Sequence, residues 1–167
     1  MDSNDFLVQL RAAFPATPID AHDAFEQWGT TYPDAAAFAA QIAGQTWESL
    51  DRDYLVRNSD ALGFLGTQTL VAVLPVYLRS LFEETVWSPA TGTLLLILNP
   101  PGSPDDRGLG QARFDALIQA LDPAQRTAIA TALTAVANAD ATGSVGRAAR
   151  AVLDGYWTSF AKGRTDP

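Results

Sequence analysis

Residues 67–82, TQTLVAVLPVYLRSLF, leave almost no room for a wet face. Leu70, Val71, Val73, Leu74, Val76, Tyr77, Leu78, Leu81 and Phe82 fill every side of a helix drawn through them. A helix that is apolar all round is buried all round, so this segment must be enclosed by other elements. Pro75 lies inside it, removes one backbone donor and predicts a kink or a split after Leu74. Charge is absent from Ala61 to Leu78, but Gly63, Gly66, Thr67, Gln68 and Thr69 interrupt the run and Asp60 and Arg79 flank it. A membrane span needs about 20 mostly apolar residues, so a buried helix of a globular protein is the expectation.

The block that leads into this helix starts at Trp47. Leu50, Tyr54 and Leu55 continue a helical stripe, with Glu48, Asp51, Arg52, Asp53 and Arg57 on the opposite, wet side. Asn58-Ser59-Asp60 is a break, and Leu62, Phe64 and Leu65 form a short turn packed inward. Upstream, Ser3 or Asn4 caps a first helix that carries Phe6, Leu7, Leu10 and Phe14 on one stripe and stops at Pro15. Pro18 to Trp28 reads as a second short helix, with proline near its start and Gly29 just past its end. Asp34 caps an alanine-rich helix that Gly44 ends.

Downstream, Thr93–Leu98 is an unbroken apolar run that periodicity alone assigns to neither strand nor helix. No second strand exists to pair with it, and a lone strand leaves its backbone unsatisfied, so helix is predicted. Pro100–Leu109 is a loop, and Ala112–Leu121 is a helix facing Phe114, Leu117, Ile118 and Leu121 inward. Asp122-Pro123 opens a helix to about Asn138, and Ser144–Phe160 forms the last helix before a tail, 161–167, that frays. The expected architecture is an all-α, irregular bundle of six to eight helices in a single domain spanning 1–167.

Charge is unevenly placed. The net charge is −8, and residues 1–90 hold 12 acids against 4 arginines, whereas residues 91–167 hold 7 acids and 7 bases. Such acidity keeps a protein soluble. It also repels nucleic acid and anionic membranes, which are therefore not expected partners, and it attracts a basic protein. Cysteine is absent, which excludes disulfides, thiolate catalysis and Cys-based zinc sites and is compatible with a cytoplasmic location. The opening MDSNDFLVQL carries no basic residue ahead of its apolar ones, unlike a secretory signal.

Chemistry-bearing motifs are sparse. On a helix, the one histidine, His22, would neighbour Glu26 at i+4 with Asp23 beside it, a weak candidate metal set. The simpler reading of that stretch is an acidic helix start in which Asp20 and Asp23 favour the positive end. With no cysteine, one histidine and no Gly-x-Ser-x-Gly, no nucleophile–base pair stands out. Gly143-Ser144-Val145-Gly146 lacks the lysine and preceding strand of a phosphate loop and reads as a helix start. Trp28, Trp47, Trp87 and Trp157 all sit beside turns. Each either packs at the core edge with its indole N–H on a carbonyl or offers an interaction surface.

Trp47, Leu50, Leu55, Leu62, Phe64, Leu65, Leu74-Pro75, Tyr77 and Leu78, together with the Leu121–Arg126 cap, resemble the pattern of an uncharacterised-domain family of small bacterial proteins. The resemblance covers roughly residues 5–138, with 143–160 as an additional helix. It implies an all-α fold and carries no activity. The functional expectation is a small cytoplasmic bacterial interaction protein without cofactors, one that binds a basic partner or neutralises a toxin. The alternative is a small-ligand or metal-dependent enzyme near His22, Asp23 and Glu26. A third reading is homo-oligomerisation through the tryptophan-bearing edges.

Overall fold

The computed structural model describes residues 2–22, 24–25, 34–83, 87–102 and 110–161, and among these there is no strand. Helix α1 is Ser3–Ala13, α2 Ala35–Ile42 and α3 Arg52–Arg57. A 3-10 turn at Ser59–Gly63 leads into α4, Thr67–Glu83. Then follow α5 (Pro89–Leu98), α6 (Gln111–Ala120) and α7 (Pro123–Ala139). The last helix runs from α8 (Ser144–Val152) through a π turn (Leu153–Trp157) into α9 (Thr158–Ala161). The protein is all-α and an irregular bundle, as expected.

Helix α4 is enclosed. Leu74, Val73 and Leu78 have no exposure and Pro75 is buried with them. The helix is not split after Leu74. Neighbours on several sides, α1, α5, α6 and α7, hold it across the missing donor. Tyr77 buries its ring and donates its hydroxyl to the Leu55 carbonyl at 2.8 Å, which anchors α3 to α4. Thr93–Leu98 is helical, within α5, and α5 packs on the 3-10 turn, α4 and α8.

The hub of the bundle is α7, which touches α1, α4, α8, the π turn and α9. Its buried face is made largely of Ala128, Ala130, Ala132 and Ala137, small enough for neighbouring backbones to come close. Thr127, Thr131 and Thr134 return their hydroxyls to carbonyls one turn back at 2.7–2.9 Å, and Thr131 also accepts from Gln9 Nε2 of α1 at 3.1 Å. Its start is a capping box. Asp122 accepts the Gln125 N–H at 2.8 Å, and Gln125 accepts the Asp122 N–H at 2.9 Å.

Three local expectations are corrected. The cap of α1 is Asp2, not Ser3 or Asn4; its carboxylate accepts the Asp5 N–H at 2.8 Å and suits the positive helix end. The expected helix at Pro18–Trp28 is absent from its described part, residues 18–22 and 24–25. Ile19 instead donates its N–H to the Gln45 carbonyl and accepts from Gly44 N–H, at 2.8 and 2.9 Å, so its backbone is spent on a distant segment. Gly44 makes this approach at φ +70°, a conformation that favours glycine. The last helix is not uniform either. Its π turn brings Gly155 against Pro100, where a Cβ would lie 3.1 Å from Cγ, and aims the Trp157 indole at the Leu98 carbonyl, 2.8 Å away.

Candidate anion-binding cleft

Of the four arginines in the acidic first 90 residues, three converge. Arg11 from the last turn of α1, Arg52 from the first residue of α3 and Arg79 from α4 line one cleft, with Leu7, Trp47, Glu48, Leu50 and Val76. About 400 Å³ of space open to solvent lies among them. The backbone explains the meeting. Leu7 and Arg11 are one turn apart on α1, and Val76, Arg79, Ser80 and Glu83 follow one side of α4. Phe6 and Phe82 stack with centroids 4.3 Å apart and 17° between planes, which fixes α1 beside α4.

The arginines are held by carboxylates. Arg11 Nε meets Glu48 Oε1 at 2.5 Å. Arg79 Nε meets Glu83 Oε1 at 2.8 Å, and Arg52 Nη1 meets Glu83 Oε2 at 2.6 Å. Arg52 also donates through Nε to Ser80 Oγ at 2.8 Å. It is half-buried, so the wet-face placement expected for it is corrected: the Ser80 hydroxyl and Glu83 draw it onto α4. Burial pushes the Glu83 carboxyl up, but its bonds to Arg79 and Arg52 and their charges outweigh this and hold it below the usual range. Among the described residues, the terminal nitrogens of Arg11 and Arg79 carry no hydrogen bond to protein, and both side chains are about half exposed, at 56% and 44%.

A guanidinium pinned through Nε presents its two terminal N–H groups as a planar fork, which matches a carboxylate or phosphate. Two such forks lining one cleft can hold an anionic group. The signal that could have located this cleft was the spacing Val76-Arg79-Ser80-Glu83, a narrow polar edge on an otherwise apolar helix.

The residues singled out from sequence are scattered. Trp47 is 5% exposed and donates its indole N–H to the Phe14 carbonyl at 2.7 Å; its ring forms part of the cleft wall. Trp157 is fully buried and donates to Leu98. Trp87 is exposed and lies over Gly92, where a Cβ would sit 3.2 Å from the ring. Trp28, Asp23 and Glu26 lie outside the described residues. His22 is exposed on an irregular turn, its N–H bonded to Asp20 Oδ1 at 3.0 Å, so the helical spacing that would join it to Glu26 does not hold at His22. The described residues contain no group of three side chains placed to hold a metal. Gly143–Gly146 opens α8 as expected. The Asp140 carboxylate accepts the Gly146 N–H at 3.0 Å and so fills the position a phosphate would take.

Fold and cleft together define an all-helical protein with one continuous core and a cleft of paired arginines on its acidic half. A family model matches residues 4–161, through the C-terminal helix, and the chain belongs to that family, a family of unknown function (DUF6714). No curated protein and no solved structure matches the chain. No helix among the described residues is long and apolar enough to cross a membrane.

Proposed function

We propose that this protein is a binding module and that the cleft of Arg11, Arg52 and Arg79 recognises an anionic group. The observation that carries the reading is the convergence of three of the four arginines of residues 1–90 on one cleft that also has apolar lining residues. In a region with 12 acids, such a gathering is unlike a scatter of solvated charges. The protein acts as an interaction protein, not as a catalyst. A cytoplasmic location belongs to the same proposal and is compatible with a cysteine-free chain. The test is a proton–nitrogen NMR titration with small anions, followed at the Trp47 indole and the arginine Nε–H signals. Selective shifts of Trp47, Arg11, Arg52 and Arg79 are expected; uniform shifts of all surface groups would overturn the reading.

A second reading, a basic protein partner or a toxin neutralised by this chain, is favoured by the exposed Asp34, Asp51 and Asp53 on α2 and α3. Burial and then the charge of Asp34 raise the Tyr54 phenol, so Asp34 acts on that same face. A lysine-rich peptide would shift the amides of α2 and α3 at low salt; the absence of such shifts counts against it.

A further inference from the structure

Resting on the anion-binding reading, we infer that the ligand group is a single carboxylate on a small apolar body, not a phosphate. Charge decides the first part. Arg11, Arg52 and Arg79 bring three positive charges, and Glu48 and Glu83 return two negative ones. Among the described residues the cleft therefore carries one net positive charge, which a carboxylate neutralises. A phosphate near its dianionic form would leave an excess negative charge close to Glu48 and Glu83, in a chain whose net charge is already −8.

The available donors agree. Arg52 is committed to Ser80 and Glu83, which leaves Arg11 and Arg79 to present forks. One carboxylate with two oxygens accepts from both, one fork on each side. The walls decide the second part. Leu7, Leu50, Val76 and Trp47 line the cleft beside the charged side chains and give it a small apolar surface. The space between these walls is open to solvent and small, so the body they cover is small. Hydrophilic acids would leave this wall wet, whereas an aryl or branched-alkyl acid covers it.

The experiment is calorimetry and NMR on the full chain with four probes: phenylacetate, isovalerate, inorganic phosphate and the neutral phenylacetamide. The expected result is binding of both carboxylates, with phosphate weaker by about tenfold and phenylacetamide without effect on the arginine signals. Arg79→Gln and Arg11→Gln should each weaken phenylacetate about tenfold, with Arg79→Lys recovering part of the loss and Arg147→Gln, outside the cleft, changing nothing. Thermal melts of each variant confirm that the folded state is being compared. Phosphate binding as tight as phenylacetate, still lost in Arg79→Gln, would overturn the carboxylate inference and leave the anion-binding reading standing. Shifts at Trp47 and the arginines with none of the anions would remove both. Equal binding of phenylacetamide would show an apolar pocket in which the arginines play no part, and would also overturn the proposal.

Discussion

Arg113 and the arginines of the cleft solve opposite problems with the same side chain. Arg113, on α6, is 6% exposed and gives its terminal nitrogens to the carbonyls of Leu62, Gly63 and Leu65, two of these at 2.9 and 3.0 Å. Two of those carbonyls end the 3-10 turn and the Leu65 carbonyl follows it, and a carbonyl in such a place needs a donor. Burial pushes the Arg113 guanidinium down to about 10, still charged at neutral pH. Arg11 and Arg79 instead pair with carboxylates at the surface and keep their outer nitrogens toward solvent. A guanidinium turned inward onto backbone carbonyls holds a fold together. One pinned from behind by a carboxylate and open in front is what the proposed recognition role requires.

The largest effect expected on this contrast is Arg113→Met. It strands three carbonyls at the junction of the 3-10 turn with α6, and the loss is about 3 kcal/mol. Urea denaturation should show a lower midpoint with an unchanged slope, and anion binding by the remaining folded protein should be unaltered. A variant as stable as the parent would mean that Arg113 is no more structural than the cleft arginines, and the comparison would collapse.

Much of this architecture is legible in sequence, for a physical reason. Caps and helix stops are local chemistry. Asp122-Pro123 with Gln125 and Gly44 after α2 each act within a few residues of themselves. The apolar runs at Thr67–Phe82 and Thr93–Leu98 carry enough hydrophobic surface to demand burial wherever they fall. What escaped is non-local. Ile19 is held out of a helix by Gln45 and Gly44, and no pattern near Pro18 shows that. Helix α7 became the hub through alanines, which allow close approach but do not announce burial as leucines do. The cleft needs Leu7 and Arg11 from α1, Glu48 from the turn before α3, and Arg79 from α4, and only the folded chain joins them. Arg52 shows the limit most clearly. Its helical position beside Asp51 and Asp53 places it in water, while Ser80 and Glu83, 28 and 31 residues away, pull it inward.

Glu83 sits between the two kinds of site, since it organises the cleft and joins α3 to α4. Its folded-state pKa is depressed, so its contribution to stability is present above the unfolded carboxyl value and is lost as pH falls through the lower folded one. Glu83→Gln should cost about 1 kcal/mol at neutral pH, discounted for partial exposure, and should flatten part of the acid limb of stability against pH. A variant with the same acid limb as the parent would show that Arg52 and Arg79 do not hold this carboxylate in solution.

Arg79→Gln should have the smallest effect on stability and thereby divides the two roles most sharply. Its ion pair with Glu83 joins positions one turn apart on α4 and is 44% exposed on the arginine side, an arrangement worth less than about 0.5 kcal/mol. Glu83 keeps Arg52 in the variant, so the link between α3 and α4 survives. The thermal midpoint should move within the error of ordinary surface substitutions, while one of the two open guanidinium forks disappears. A structural role predicts a change in melting and none in anion titration. A recognition role predicts the reverse, because the fork does nothing for the fold that Glu83 and Arg52 do not already do. Measuring both quantities on the one variant decides between them, and a destabilisation comparable with that of Arg113→Met would assign Arg79 to the fold.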